Sequence, residues 1–185
     1  RLNEIIDGME MDLTQTRYLD WPGLERYCYR VASVVGLLAA GIFGYSDART
    51  LDYARDLGIA FQLTNIIRDV GEDARKNRIY LPMADLKQFD VPAADILNAK
   101  QTPEFRKLMA FEAARAREHY EKAMQSLPRF RQVGPLRLDL LHRDGVVAGR
   151  PLGLHPREFA LLWRLADAPG EPVLIGSLLK DIWRL

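Results

Sequence analysis

The chain is predicted to be mainly α, with a small α+β segment at its C-terminal end. Three observations lead there. From Arg1 to Leu127 apolar residues recur at helical spacing in long, well-charged stretches. Those stretches open with helix-start signals such as Thr102-Pro103-Glu104, an N-cap followed by proline at the first position. After Pro128 the helical period gives way to short apolar runs around Asp144-Gly145, a hairpin signal.

Taken in order, Arg1 to Leu13 reads as a short helix carrying Glu4, Asp7, Glu10 and Asp12. Trp21-Pro22-Gly23 is a break, with Pro22 suited to a first helical turn, and a long helix is expected from Leu24 to Tyr45. Val31 to Tyr45 carries no charge. Its residues rise about 22 Å at 1.5 Å each, short of the roughly 20 residues that cross a bilayer, so a buried core helix is expected. Within it Ala32, Gly36, Ala40 and Gly44 recur every four residues. Glycine inside a helix costs about 1 kcal/mol against alanine. Such a ridge either admits a second helix closely or lines a slot for a long apolar ligand.

A turn at Ser46-Asp47 leads to a third helix, Leu51 to Lys76. Tyr80-Leu81-Pro82 ends it, and Pro82 starts a further turn with Asp85 and Leu86. Phe89 to Ala94 reads as loop, Ala94 to Asn98 as a short helix, and Glu104 to Ser126 as a long one closed by Pro128. Beyond the junction 128–133, strands are expected at Leu136 to Leu141 and Val146 to Ala148, around an Arg143-Asp144-Gly145 turn. Two helices follow, with Phe159, Leu162, Trp163, Leu165, Leu178, Leu179 and Trp183 as core candidates. Phe159, Leu162, Trp163 and Ala166 fall at helical spacing.

A chain of 185 residues, 48% hydrophobic and 28% charged, holds one sizeable core, or one core and a small module. The formal net charge of +1 favours no polyanionic partner. Cys28 is the one cysteine, which excludes an internal disulfide; its apolar neighbours suggest a buried thiol. His119, His142 and His155 share no metal-ligand spacing. Glycine-rich phosphate loops and dinucleotide fingerprints are absent.

The chemistry-bearing stretch is Gln62 to Asp73. At about 100° per residue, Gln62, Asn65, Asp69 and Asp73 share one helix face. Carboxylates one turn apart repel unless a cation sits on them, and Mg2+ takes one or two carboxylates beside water and phosphate. Arg68 lies beside the acidic pair, and Arg75, Lys76 and Arg78 follow it at once. Guanidinium forks beside metal carboxylates are what a diphosphate requires.

The string QLTNIIRDVGEDARKNRIYLP, with YCYRVASVVG upstream, resembles the squalene/phytoene synthase family of isoprenoid enzymes over Arg1 to Leu127. The resemblance implies an isoprenoid-synthase-like helical region and head-to-head, Mg2+-dependent condensation of two prenyl diphosphates. By that resemblance Asp69 and Asp73 match the second aspartate-rich motif and hold Mg2+. Gln62 and Asn65 match polar positions on the same face, Arg68 and Arg78 match diphosphate-binding arginines, and Tyr27 is expected to act near the carbocation or in proton transfer. Asp-Gly-Met-Glu-Met-Asp and Asp-Val-Gly-Glu-Asp-Ala-Arg look most like bacterial presqualene diphosphate synthases of hopanoid synthesis, which implies farnesyl diphosphate as substrate; phytoene synthases share nearly the same string. A cytoplasmic location with peripheral membrane association goes with this expectation.

The family's first aspartate-rich motif should lie upstream of Tyr27, and nothing in Arg1 to Asp20 has its form. The chain is therefore expected to be an incomplete piece that does not itself turn over. Residues 134–185 are similar in order to a response-regulator winged-helix domain that stops before the recognition helix. From Pro128 onward 9 Lys and Arg face 6 Asp and Glu, a surplus of 3, too small to mark a nucleic-acid footprint. Two other readings are a DNA-binding regulator with a helical sensor, and a catalytically dead scaffold.

Overall fold

The computed structural model describes residues 1–45, 47–127 and 130–183, the Trp183 side chain excepted. The chain divides into two compact units, Arg1–Leu127 and Pro128–Leu185. The first is all helical: α1 (Leu2–Thr14), α2 (Trp21–Cys28), a π-helical turn (Tyr29–Ser33), α3 (Val34–Phe43), α4 (Arg49–Arg75), α5 (Met83–Gln88), α6 (Ala93–Leu97) and α7 (Pro103–Ser126). The second runs β1 (Phe130–Val133), β2 (Leu136–Asp139), β3 (Asp144–Val147), β4 (Arg150–Pro151), α8 (Pro156–Leu165), α9 (Ile175–Leu178) and a π-helical turn (Leu179–Trp183).

In the first unit α2, its π-helical turn and α3 form one continuous helix, three residues earlier at its start than the sequence suggests. Asp20 caps it, accepting from the Gly23 amide at 2.9 Å, and Pro22 sits in the first turn. Thr102 caps α7 in the same way, accepting from Phe105 N at 3.1 Å. The central helix is α4, packed against α7, the π-helical turn and α3. The core gathers Leu24, Leu63, Leu81, Leu86 and Leu108, all essentially solvent-free. Cys28 is buried with them, and burial pushes its thiol pKa up, which leaves it unreactive.

Three expectations for the long apolar helix need correction. It is covered on one side only: α1 and α4 pack against it, while Ile42 and Phe43 are 80% and 86% exposed. Trp21–Phe43 is long and apolar enough to cross a membrane by length and composition. Gly44 leaves the small-residue ridge, because it ends the helix at φ +79°.

The second unit is an antiparallel meander in the order β1-β2-β3-β4 followed by helices. What stands of the winged-helix expectation is this small sheet with helices after it. β1 lies within the stretch read as a junction, and pairs Phe130 with Asp139. The expected Arg143-Asp144-Gly145 turn is displaced: Asp144 and Gly145 belong to β3, and Arg143 takes the left-handed conformation at φ +51°. Two causes are visible. The Asp144 carboxylate accepts from the amides of Gly145, Gly153 and Leu154, which fixes it beside the chain leading out of β4. Gly145 pairs with the fully buried Leu138, where an added Cβ would stand 3.0 Å from a Leu138 methyl. His155 caps α8 in a reciprocal box with Glu158. Phe159 is buried, whereas Leu165 and Leu179 are exposed, contrary to their expected core role. Ser46, Pro128 and the Trp183 side chain lie outside the described residues.

Candidate functional site

The end of α4 builds the site from local backbone chemistry. Asn77 takes the left-handed conformation, φ +56°, just past the helix. The Asn77 amide then donates to Ala74 O at 2.9 Å, and the Arg78 amide to Asp73 O at 2.8 Å. That pair of bonds is a Schellman cap. Its effect is to turn the chain back so that Arg78 returns beside Asp73. Asp73, Arg78, Ile79 and Tyr80 line one small cleft with Ile66, Val70, Leu81 and Ile96.

On the helix face itself Gln62, Asn65, Asp69 and Asp73 are all half-buried. Asp69 receives both arms of the Arg68 fork, 2.7 Å from Nε and 2.7 Å from Nη2. That pairing holds its carboxyl below the usual carboxylate range. Asp73 is shifted the other way, by its burial first and the charge of Asp69 second. Among the described residues no hydrogen bond or ion pair engages the side chains of Gln62, Asn65 or Asp73. Arg68 and Arg78 share no partner: the first turns to Asp69, the second to α1.

Arg78 is met there by Asp12. Its Nη2 donates to the Asp12 carbonyl at 2.8 Å, and its Nη1 to the Asp12 carboxylate at 3.4 Å and to Tyr80 Oη at 3.0 Å. Tyr27 Oη donates to Asp12 Oδ2 at 3.0 Å, and Tyr80 Oη to Oδ1 at 2.7 Å. The rings of Tyr18, Tyr27 and Tyr80 pack together with centroids 5.4 to 5.9 Å apart. Burial chiefly, and then the neighbouring negative and phenolic groups, push the Tyr27 pKa far above the ordinary phenol range. Tyr27 therefore stays neutral across physiological pH.

The sequence alone does not assign Asp12 or Tyr80 to the site. Tyr80 stood in the Arg-Ile-Tyr-Leu-Pro string without a role. Asp12 could have been found from Gly8, one turn earlier on the same face of α1. A Cβ at Gly8 would stand 2.9 Å from Arg30 Cβ, so α1 crosses the π-helical turn there and carries Asp12 inward.

A groove of about 400 Å³ runs along the N-terminal half of α4, lined by Ala32, Val35, Gly36 and Ala40 on one helix and Tyr53, Ala54, Leu57 and Phe61 on α4. The two explanations of the small-residue ridge meet here. A Cβ at Gly36 would stand 3.2 Å from Ala54 O, so the ridge admits α4 closely, and the same residues wall an apolar slot. The chemistry of the donor set suits a divalent cation. Two aspartates one turn apart, one unpaired and repelled by the other, supply the carboxylates that Mg2+ takes. Among the described residues no cluster of three or more potential metal ligands exists.

The family model for squalene/phytoene synthase matches residues 1–144. The match runs past the first unit into the second. The phytoene synthase of Arthrospira platensis is 42% identical over 137 residues, covering 67% of this chain and 44% of that protein. Phytoene synthase 1 of Arabidopsis thaliana is 44% identical over 126 residues, 65% of this chain and 30% of its own. Among solved structures, squalene synthase HpnC from Alicyclobacillus acidocaldarius superposes with a TM-score of 0.63 at 31% identity, covering 66% of this chain and 47% of that one. A dehydrosqualene synthase in complex with ligand gives 0.62 at 33%, covering 66% and 43%. The chain thus spans less than half the length of these relatives. None of these matches supports a winged-helix domain.

Proposed function

Because this chain belongs to the squalene/phytoene synthase family, we propose that it carries the second-motif side of a head-to-head prenyltransferase site, which binds a prenyl diphosphate through Mg2+. The observation that carries the reading is the Schellman turn after α4, which brings Arg78 into the same cleft as Asp73. Asp69 and Asp73 would hold the metal, with Gln62 and Asn65 as polar neighbours on the same face. Bound there, Mg2+ supplies Lewis-acid help to departure of the diphosphate. Arg68 and Arg78 orient the phosphate oxygens by forked hydrogen bonds. Binding requires Arg68 to exchange Asp69 for phosphate, an exposed pair that costs little to open.

The groove along Ala32, Gly36 and Ala40 accepts the isoprenoid tail and keeps water from the allylic cation. Tyr27, neutral and held by Asp12, would act near the reacting carbons through its phenol. For the product, relatives named phytoene synthase support two geranylgeranyl diphosphates at least as well as they support farnesyl diphosphate and presqualene diphosphate.

The test is a melting curve of this chain with Mg2+ and a non-hydrolysable farnesyl or geranylgeranyl thiodiphosphate. Ligand that binds the native state raises the melting temperature by mass action, and a flat response at saturating analogue sinks the reading. Incubation with each diphosphate, with and without NADPH, then identifies the product.

A further inference from the structure

We propose that Asp12 is the positioning residue of this site: one carboxylate and its own carbonyl tie the Tyr27 phenol and the Arg78 guanidinium into a single unit. The proposal rests on the diphosphate-site reading above and extends it to α1, which that reading leaves without a role.

The bonds to Asp12 are arranged by kind. The two carboxylate oxygens divide between the phenols, Tyr27 on Oδ2 and Tyr80 on Oδ1. The carbonyl takes the shorter arginine bond, from Nη2, and Nη1 spans Oδ1 and Tyr80 Oη. Each phenol has one hydrogen, and both are given to the same carboxylate. The Tyr27 oxygen therefore faces any other neighbour with lone pairs only. A phenol so held accepts a proton or opposes a cation; it does not donate. Removing the carboxylate frees that hydrogen to point elsewhere.

The mount under Asp12 is built to hold it still. Beyond the end of α1, the Ile79 amide donates to Thr16 O at 3.1 Å, the Met83 amide to Tyr18 O at 2.8 Å and the Ala84 amide to Leu19 O at 3.0 Å. Arg17 adds bonds to the carbonyl and side chain of Asn77, the residue that makes the Schellman turn. Gly8, one turn earlier on the same face of that helix, packs closely against Arg30. The segments carrying Asp12 and Arg78 are thus fastened together by backbone, and the side-chain unit completes the fastening. Tyr18, whose buried hydroxyl has no partner among the described residues, packs its ring against both Tyr27 and Tyr80 and closes the cluster from below.

The groups facing the Tyr27 hydroxyl are Asp12 on α1, Tyr80 and Arg78 after α4, and Tyr18 before α2. Of these, Tyr80 and then Asp12 oppose ionisation of the phenol, and Asp12 is the carboxylate that accepts its hydrogen. Asp12→Asn keeps an oxygen for one hydrogen bond and removes the carboxylate charge.

The experiment labels the chain with 3-fluorotyrosine, assigns the Tyr27 signal by its absence in Tyr27→Phe, and follows it by fluorine NMR across alkaline pH. In parallel, sodium pyrophosphate with MgCl2 is titrated calorimetrically into wild type, Asp12→Asn, Asp12→Ala and Tyr80→Phe. The expected result is that Asp12→Asn lowers the pH at which Tyr27 ionises. Asp12→Ala should weaken pyrophosphate binding about tenfold, because a charge-assisted arginine contact is no longer aimed, and Asp12→Asn should recover part of the loss. A Tyr27 signal with the same chemical shift at neutral pH and the same alkaline titration in wild type and Asp12→Asn overturns the proposal. So does a shifted Tyr27 with unchanged pyrophosphate affinity in both Asp12 variants, which would separate the phenol from Arg78. If wild type itself ignores pyrophosphate, the diphosphate reading fails, and the fluorine titration still decides whether Asp12 holds Tyr27.

Discussion

Gly58 of α4 crosses the π-helical turn at Ser33 so closely that a Cβ built on the glycine would stand 2.5 Å from Ser33 Cα and 2.6 Å from its amide nitrogen. Ser33 in turn donates its hydroxyl to Arg55 O at 2.6 Å. The obstruction is backbone, which cannot swing aside. Gly58→Ala should therefore cost about 1–3 kcal/mol or more in urea unfolding by overpacking. Gly71, on the same helix with nothing within 4 Å of its Cβ position, should respond oppositely, gaining roughly 0.5–1 kcal/mol as alanine. Equal responses at the two positions would contradict the crossing.

Asn77 decides where Arg78 goes. Asn77→Gly keeps the left-handed turn and should leave pyrophosphate binding intact. Asn77→Val puts a β-branched residue where it is disfavoured, at a cost of about 1–3 kcal/mol, and should weaken pyrophosphate binding by loosening the Schellman cap. Calorimetric titration with MgCl2 and pyrophosphate separates the two variants.

Arg68 and Arg78 should differ as alanine variants. Arg68 is bound to Asp69 on an exposed face, so its removal should leave the melting temperature nearly unchanged while weakening pyrophosphate binding. Arg78 is two-thirds buried and bonds Asp12 and Tyr80, so its removal should lower both. Asp69→Asn should abolish most of the Mg2+ dependence, with affinity falling about tenfold or more.

Ala32→Phe fills the apolar groove between α3 and α4. Binding of a thiodiphosphate with a long prenyl chain should fall at least about tenfold, since the apolar area of several methylenes is no longer buried. Pyrophosphate, which has no tail, should bind as before. Equal loss for both ligands would place the tail elsewhere.

Glu112 is solvent-free on α7, with Arg115 Nη1 at 2.6 Å on one oxygen and no partner for the other among the described residues. Arg115 also binds Asp85 at 2.8 Å and lies 4.5 Å over the Trp21 ring. Burial pushes the Glu112 pKa up to about 7, against the pull of Arg115 and with the help of Asp85. Above about pH 4.5 the unfolded chain has released this proton while the native state keeps it. Stability from the group is then full at low pH and is lost as pH rises through 7. Urea midpoints of wild type should decline from pH 5 to pH 8 more steeply than those of Glu112→Gln, and parallel slopes would refute the assignment.

Helix caps, helix existence and the acidic strip were legible in the amino-acid order, because each depends on neighbours a few residues away. Thr102 caps through a bond to the residue three positions on, whereas the Asp20 cap at the start of α2 shows only in the structure. Gln62, Asn65, Asp69 and Asp73 share a face by the pitch of the helix alone. The resemblance carried by the motif strings found the family for the same reason, since they are contiguous.

What only the tertiary structure decided involves residues far apart in the chain. Asp12 and Arg78 are 66 positions apart and Asp12 and Tyr27 are 15 apart, so no local period links them. The strand assignment of Asp144 was set by amides nine and ten residues later, which outweighed the turn preference of Asp-Gly. Exposure of Ile42 and Phe43 follows from which helices cover that face, and an uncharged run reads the same whether or not a neighbour is there. Backbone hydrogen bonds within a few residues are specified locally; side-chain partnerships across the fold are specified only when helix crossings such as Gly58 on Ser33 and Gly8 on Arg30 bring them within reach.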